Sequence, residues 1–350
     1  MISRECFTRE WIDGISDKYS YPDKNLIEKV IRAFSLVEML VESGCDFCWK
    51  GGTSLMVILG QSLHRLSIDV DIICPPGTDI EQYLSAYADY GFVSKEENYR
   101  EHSQGNLPAT HSKFHYQISF KDGLDRTEYI LLDVLYEDIH YRKVNSVPLV
   151  NPMVKWENEP VIVKVPSVED ILGDKLTAFA PNTCGIPYVK NGKSRSLEII
   201  KQLFDIGRLF DNFENLGTVR DAYRSLVPIE MAYRNMPGDY VQAANDILDT
   251  AIAIATRGKS GVGDFASLQN GINRLKSFMY MGTYYIENAI RDAGKAAYLA
   301  TLMKDDSKKF ERYAPESTVV STDMKLPSAI RKLAMSDFEA YYYWVKAING

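Results

Sequence analysis

The chain of 350 residues lacks the features of a membrane or secreted protein. No apolar run approaches the roughly 18 residues that a membrane helix needs, so we expect neither a transmembrane segment nor a membrane partner. The first residues, MISRECFTREWIDG, are charged throughout and contain no apolar signal core, which favours a cytoplasmic location. Cysteine is scarce, and five scattered residues do not indicate a disulfide framework.

An excess of positive charge is also missing, because the formal net charge is −7. A protein that coats nucleic acid with its whole surface is typically basic, so this balance argues against such a function. The acidic net charge does not exclude a local basic cleft for nucleic acid, because salt screens the charges that lie more than about 8 Å away. Hydrophobic residues make up 45% and charged residues 25%, which excludes a disordered chain and indicates a globular one.

The order of the predicted elements indicates two domains of different kinds. Predicted strands and helices are mixed up to about residue 180, and from there the pattern is almost entirely helical. This order predicts an α+β domain joined to a helical domain, which we place at residues 1–185 and 186–350. We predict strands at 46–50, 67–73, 114–120, 128–136 and 161–165, and helices at 23–43, 55–59, 79–90, 167–180, 196–212, 218–226, 239–257, 264–277, 280–303 and 326–348.

The most specific local pattern is the pair Asp69 and Asp71 in a predicted strand. Residues i and i+2 of a strand share a face, so both carboxylates would project side by side. Such like charges repel unless a cation lies between them, and Mg²⁺ is the hard, oxygen-binding cation that suits two carboxylates and substrate phosphates. The alternative is a solvent-facing strand with acidic outer residues.

A third carboxylate, Asp133, is the only charge between Tyr129 and Tyr136. A carboxylate within so apolar a strand needs a partner, and beside the aspartate pair it would complete a metal cluster. The alternative is a capping or salt-bridging role near the end of the strand.

A glycine-containing turn, Gly51-Gly52-Thr53-Ser54, joins a predicted strand to a predicted helix. Two glycines let backbone amides approach a phosphate closely, while the helix N-terminus adds partial positive charge and the hydroxyls add donors. The sequence is not a Walker loop, because no GxxxxGK[ST] occurs. An ordinary turn with an N-cap threonine or serine is the alternative.

Lys175 lies on the apolar stripe of the predicted helix 167–180. A lysine that faces inward is rare unless it is paired. It is predicted either to pair with a carboxylate of the metal site or to bind a triphosphate, with extension to the edge of the stripe as the alternative. On the next helix, Lys201 and Asp205 have the i, i+4 spacing of a surface ion pair.

Together, KGGTSL at 50–55 and the pattern R-x-S-x-D-x-D, formed by Arg65, Ser67, Asp69 and Asp71, resemble the AbiEii/AbiGii-type nucleotidyltransferase toxins. The later segments VPSVEDILGDKLTAF and IIKQLFDI are similar to the same family, in the same order. The resemblance covers roughly residues 30–210 and implies the DNA-polymerase-β-like nucleotidyltransferase fold, with a mixed sheet, flanking helices and an all-helical C-terminal domain that contributes to the active-site cleft.

The same resemblance implies the roles of particular residues. Asp69 and Asp71 would bind one or two Mg²⁺ ions, with Mn²⁺ as a substitute, and Asp133 matches the acidic strand position of the family less distinctively. The nucleotide-binding set is Gly51, Gly52, Thr53, Ser54, Arg65, Ser67 and Lys175, and the catalytic set is Asp69, Asp71, Lys175 and Asp205. The family motif R-D-x-x-D reads Lys201-Gln202 at its start here, so its first acidic residue is missing. Arg65 would orient the aspartates or contact phosphate, unless it is a surface arginine.

The function implied is transfer of a nucleotide from an NTP to an acceptor hydroxyl, including the 3′ end of a tRNA, by the toxin of a toxin–antitoxin or phage-defence system. A cognate antitoxin is an expected partner, although direct binding is not required. Segment 181–195 is polar and rich in glycine and lysine, which predicts a mobile loop. An RNA acceptor would need a basic surface, which this loop and the cationic side chains of the helical domain would supply. The alternatives are transfer to a small molecule or a protein hydroxyl, and a nucleotide-binding interaction protein without turnover, which Gln202 would favour.

Overall fold

The computed structural model describes residues 1–99, 109–120, 126–318 and 326–349. These residues form two compact units. The first consists of Met1–Ser167 and Ser277–Gly282, and the second of Val168–Lys276 and Thr283–Gly350. Within the described ranges, no helix is both long and apolar enough to cross a membrane.

The border between the units lies at Ser167, upstream of the domain border suggested by the sequence at residue 185. The reason is the helix that follows Ser167, because its apolar side chains pack on helices of the second unit. A second difference is that Ser277–Gly282, late in the chain, belongs to the first unit.

The first unit is a mixed α+β structure. Its α-helices are α1 (Arg9–Tyr19), α2 (Lys24–Glu42) and α3 (Gly51–Ile58), and its strands are β1 (Cys48–Lys50), β2 (Val70–Cys74), β3 (Ser94–Tyr99), β4 (Ala109–Gln117), β5 (Thr127–Tyr136), β6 (Val144–Pro148) and β7 (Ile162–Pro166). Short 3₁₀ helices occur at Arg4–Phe7, Gly60–Ser62, Ile80–Tyr83 and Tyr87–Tyr90. Strands β6 and β7 form a separate antiparallel pair.

The main sheet has five strands in the order β1-β2-β5-β4-β3. Strands β2 and β5 run parallel, and the other neighbours are antiparallel, so the sheet is mixed. Helix α2 supplies much of the core, because the apolar positions that recur at helical spacing, among them Ile27, Phe34 and Val37, are fully buried. Asp23 caps this helix by accepting a hydrogen bond from the Leu26 N–H at 3.2 Å.

In its described residues, the second unit has helices and one small hairpin. It contains α4 (Val168–Ala178), the hairpin strands β8 (Val189–Lys190) and β9 (Lys193–Ser194), and the helices α5 (Ser196–Asn212), α6 (Leu216–Ala232), α7 (Tyr240–Ala255), α8 (Phe265–Leu275), α9 (Ile286–Lys304), α10 (Ser328–Arg331), α11 (Leu333–Ser336) and α12 (Phe338–Asn349). A 3₁₀ turn, Lys276–Phe278, leads back to the first unit. Helix α9 packs against α5, α7 and α12 and lies at the centre of the unit.

The predicted α+β class, with a helical C-terminal region, is confirmed. Several elements nevertheless differ from the sequence-based prediction. The predicted helix 79–90 is two 3₁₀ turns, in which Leu84 N–H bonds to Glu81 O and Gly91 N–H bonds to Ala88 O. Only Ile80 and Leu84 are buried there, which gives a longer helix little apolar face to bury.

The predicted helix 326–348 is also divided, into α10, α11 and α12. The side chain of Asp337 accepts a hydrogen bond from the Ala340 N–H at 3.1 Å and so starts a new helix at Phe338. The helix predicted from residue 280 begins at Ile286, since the preceding residues take part in the first unit.

Candidate active site

The turn between β1 and α3 lies directly on the carboxylate of Asp71. Gly51 has a φ of +80°, in the left-handed region that favours glycine. A Cβ atom at Gly51 would lie 2.1 Å from Oδ2 of Asp71, a distance at which no side chain fits. The glycine therefore allows both the turn and the close approach of the backbone to this carboxylate.

The second glycine brings two more predicted residues to the same place. A Cβ atom at Gly52 would lie 2.6 Å from Oγ of Ser67 and 2.8 Å from Nη2 of Arg65. The backbone of the turn thus packs on Asp71 at Gly51 and on Ser67 and Arg65 at Gly52. The two halves of the sequence pattern, KGGTSL and R-x-S-x-D-x-D, meet in the folded chain.

The hydroxyl groups of Thr53 and Ser54 are buried and bonded within the protein. Oγ1 of Thr53 donates to the main-chain carbonyl of Asp69 at 2.5 Å, and Oγ of Ser54 donates to the carbonyl of Gly51 at 3.0 Å. Thr53 therefore ties the start of α3 to the aspartate pair. The donors of this turn that could face a phosphate are its backbone amides.

Arg65 is an interior residue with 1% of its surface exposed, which excludes a surface arginine. Its Nη1 donates to the carbonyl of Leu66 at 3.1 Å. The segment around Arg65 is held by residues that lie far away in the sequence. The Leu66 N–H donates to Phe278 O at 2.8 Å, and the Tyr280 hydroxyl donates to Leu63 O at 3.0 Å. A late part of the chain thus fixes the residue that packs on the glycine turn.

A row of polar residues crosses the sheet at the level of Asp71. Lys50 of β1 lies opposite Asp71, Asp71 lies opposite Asp133 of β5, and Asp133 lies opposite His111 of β4. Nδ1 of His111 and Oδ1 of Asp133 are hydrogen-bonded. A carboxylate in so apolar a strand needs a partner, and His111 is one partner of Asp133.

Asp69 differs from Asp71 in its setting. The strand begins at Val70, so Asp69 precedes it and is exposed, whereas Asp71 is half-buried within it. We predicted that the two carboxylates project side by side because we expected the strand to begin at residue 67. In the structure it begins at Val70, so only Asp71 lies in the strand. Thr53, which binds the main chain of Asp69, takes over part of the positioning that the sheet provides for Asp71.

The donor chemistry at this place fits a hard divalent cation. Asp69 and Asp71 supply carboxylate oxygens, the ligands that Mg²⁺ and Mn²⁺ prefer, and Mg²⁺ is commonly held by one or two carboxylates plus substrate phosphates. Among the residues that the structure describes, no group of three or more His, Cys, Asp and Glu side chains is arranged to hold a metal ion. The aspartate pair and a bound triphosphate would therefore have to supply the ligands of the cation together.

The other two predicted catalytic residues meet in the second unit. Nζ of Lys175, on α4, lies 3.1 Å from Oδ2 of Asp205, on α5, and donates to Oε1 of Gln202 at 2.9 Å. The lysine side chain is 8% exposed and that of Asp205 is fully buried. The inward orientation predicted for Lys175 is present, and the lysine does not extend to solvent.

Helix α5 is also held in place by an ion pair between the half-buried Arg208 and the buried Asp292. Nη2 of Arg208 lies 3.1 Å from Oδ1 of Asp292, whose Oδ2 accepts a hydrogen bond from the Tyr284 hydroxyl at 3.0 Å. Gly207 permits this approach, because a Cβ atom there would lie 2.2 Å from Oδ1 of Asp292. Burial raises the pKa of Asp292 even though Arg208 opposes the shift. The helix that carries Asp205 is thereby fixed against α9.

The sequence did not reveal the contact that Gln202 makes or the position of His111. Gln202 occupies the place of the missing motif acid, and the structure shows it as a neutral acceptor for the ammonium of Lys175. His111 has no recognisable ligand spacing in the chain, and only the pairing of β4 with β5 places it beside Asp133. The need of an inward-facing lysine for partners was the signal that pointed towards its contact with Gln202.

Replacing Gly51 with alanine is expected to lower transfer activity by at least about tenfold, because the new methyl group must displace Asp71. Gly44→Ala is the matched control, since Gly44 has nearly the same φ of +79° and nothing within 4 Å of an added Cβ. Gly44→Ala should lose about 1 kcal/mol of stability from left-handed strain, and Gly51→Ala should lose at least as much because of the added contact with Asp71, as measured by denaturant unfolding. Equal activity in the two variants would contradict a role for this contact.

The chain is a nucleotidyltransferase with an α+β domain and a helical C-terminal region, as its match to a family model shows. More particularly, the chain belongs to the nucleotidyl transferase AbiEii toxins of type IV toxin–antitoxin systems, whose family model matches residues 36–260, more than half of the chain. The match confirms the resemblance and the enzyme class predicted from the sequence motifs. It also includes Lys175 and Asp205, which lie in the second unit.

Among solved structures, the chain is similar to MenT4, a nucleotidyltransferase toxin from Mycobacterium tuberculosis H37Rv. The two sequences are 13% identical, the TM-score is 0.48, and the alignment covers 83% of this chain and 98% of MenT4. No curated protein matches the chain.

Proposed function

We propose that this toxin transfers a nucleoside monophosphate from an NTP to an acceptor hydroxyl at the 3′ end of a tRNA, in a reaction that depends on Mg²⁺ or Mn²⁺. The observation that supports the proposal most directly is the packing of the Gly51–Gly52 backbone on Asp71, Ser67 and Arg65. A phosphate-accessible turn and a cation-binding carboxylate are the two parts that such a transfer needs in one place.

Each residue of the first unit has a role in this proposal. Asp69 and Asp71 hold the divalent cation, which would offset negative charge on the phosphates when it is bound. The amides at the start of α3, from Gly52 to Ser54, donate to the triphosphate, and the N-terminus of the helix adds partial positive charge. Arg65 and Ser67 support the turn from behind, and Thr53 fixes the main chain of Asp69.

Asp133 and the pair in the second unit complete the proposed set. Asp133 lies opposite Asp71 in the sheet and is positioned by His111, which suits a carboxylate that adds to the local negative charge for the cation. Lys175 supplies a positive charge for the triphosphate, and Asp205 and Gln202 hold its ammonium group in one place. Positioned charges of this kind supply most of the acceleration in phosphoryl-type transfer.

A cognate antitoxin is proposed as the biological partner, because the family is that of type IV toxin–antitoxin systems. Direct contact between toxin and antitoxin is not part of the proposal. The NTP is the proposed substrate, and a tRNA is the proposed acceptor.

Incubation with each NTP labelled on the α-phosphate, together with Mg²⁺, total RNA and total protein, tests the proposal. We expect label in tRNA, and loss of that label when EDTA removes the metal. Label in protein or a small molecule alone would contradict the tRNA acceptor while supporting another transfer reaction. If the protein binds NTP but transfers no label under any condition, it is a nucleotide-binding protein without turnover. Gln202, at the place of a motif acid, is the sequence feature that favours this alternative.

A further inference from the structure

A short hairpin in the second unit carries basic residues away from the core. Strands β8 and β9 are joined by Asn191 and Gly192, which have φ values of +53° and +71°. Two consecutive residues with positive φ form the tight turn that favours a two-residue hairpin, and Asn-Gly is a preferred sequence for it. The Arg195 N–H closes the base by donating to Tyr188 O at 2.9 Å. This part of the predicted loop 181–195 is thus an ordered structure.

The hairpin concentrates positive charge in a protein that is acidic as a whole. Residues 181–197 contain Lys190, Lys193 and Arg195 and no acidic residue, whereas the chain has a net charge of −7. The four strand residues and both turn residues are exposed to solvent. Neither lysine has an ion-pair partner among the described residues, while Arg195 lies 3.6 Å from Glu198.

The two lysines are also placed where they repel each other. Lys190 and Lys193 lie directly opposite each other in the hairpin. Like charges at directly opposed positions of an antiparallel pair are destabilising, so this arrangement does not serve the stability of the hairpin. An anion bound between or beside the two ammonium groups would remove the repulsion. The arrangement therefore suits a polyanionic ligand.

The hairpin leads directly into the helix that holds the candidate catalytic pair. Helix α5 begins at Ser196, and Asp205 lies nine residues further along it, a distance of about 13 Å at the rise of an α-helix. Both lie in the second unit, so this distance does not depend on how the two units are arranged. A nucleic acid whose 3′ end is being extended would bring its phosphates within reach of such a hairpin.

We propose that the hairpin Val189–Ser194 binds the phosphate backbone of the RNA acceptor through Lys190 and Lys193. This inference rests on the proposed function and adds to it the surface that recognises the acceptor class. An acidic protein is the other partner that two lysines could bind. Nucleic acid is favoured because lysine is common in phosphate contacts and depleted in protein–protein interfaces.

The test is the salt dependence of tRNA binding in the absence of NTP. The variant Lys190→Gln/Lys193→Gln should bind tRNA about tenfold more weakly at 100 mM salt, and the slope of log K against log[salt] should fall by about one for each lysine. The control is Lys259→Gln/Lys332→Gln, which removes two exposed lysines of the same unit that have no described ion-pair partner. NTP binding should be unchanged in both variants, and thermal stability should not fall in either, because Lys190→Gln/Lys193→Gln removes a repulsion within the hairpin.

An unchanged salt slope in the hairpin variant, or an equal loss in the control, would overturn the inference. Binding to poly-glutamate that depends on the hairpin, with tRNA binding intact, would overturn it in favour of an acidic protein partner. The transfer assay separates this inference from the proposed function. If the hairpin variant binds tRNA more weakly but no label reaches RNA with the unaltered protein, only the proposed function fails. If the hairpin variant labels tRNA equally well and its salt slope is unchanged, only the inference about the hairpin fails.

Discussion

Asp71→Asn is expected to lower the rate of nucleotide transfer by at least about 10²-fold while the protein stays folded. The change removes the charge that would attract a divalent cation and keeps almost the same shape, so the contact with the backbone of Gly51 is retained. Stability should change little, because Asp71 lies between Lys50 and Asp133 in the sheet, so the substitution removes an attraction and a repulsion together. Single-turnover transfer of label measures the rate, and thermal unfolding measures the stability.

Asp138→Asn provides the control for this variant, since Asp138 is an exposed carboxylate just after β5 in the same unit. It should keep full activity. A second readout is the binding of Mn²⁺ to the protein with bound NTP, which should weaken in Asp71→Asn and remain unchanged in the control. Full activity in Asp71→Asn, or unfolding at the growth temperature, would show that the carboxylate is structural.

Local patterns were sufficient to predict much of the helical unit. The bounds of α5 agree with the predicted helix 196–212, because its apolar positions recur at helical spacing over four turns and more. The same reasoning identified Lys175 as an inward-facing lysine, since its neighbours on the stripe are all apolar. Its partner was not predictable, because the packing of α4 on α5 decides which carboxylate of α5 lies within reach.

The candidate site of the first unit shows the limit of such reasoning. The approach of Gly51 to Asp71 follows from the antiparallel pairing of β1 with β2, which sequence proximity suggests. The position of His111 beside Asp133 follows from the order of strands in the sheet, which no local pattern contains. The support of the Arg65 segment by Ser277–Gly282 joins residues far apart in the chain and was equally hidden.

Lys175→Met is expected to destabilise the protein by about 3–5 kcal/mol and to abolish transfer. Its ammonium is the cation 3.1 Å from the carboxylate of Asp205, which is fully buried and would lose this opposite charge. Denaturant unfolding measures the free energy. The control is Arg257→Met, which removes one side of the exposed pair with Glu287 and should change stability little, because exposed pairs contribute little.

The double variant Lys175→Met/Asp205→Asn separates the structural role of the pair from its role in the reaction. Since both charges of this ion pair are then removed together, the double variant should regain most of the stability lost in Lys175→Met. If it is stable and still inactive, and if its affinity for NTP is reduced, the buried lysine acts on the triphosphate as proposed. If transfer returns together with stability, Lys175 and Asp205 only hold α4 against α5, and the assignment of both residues to the reaction is wrong.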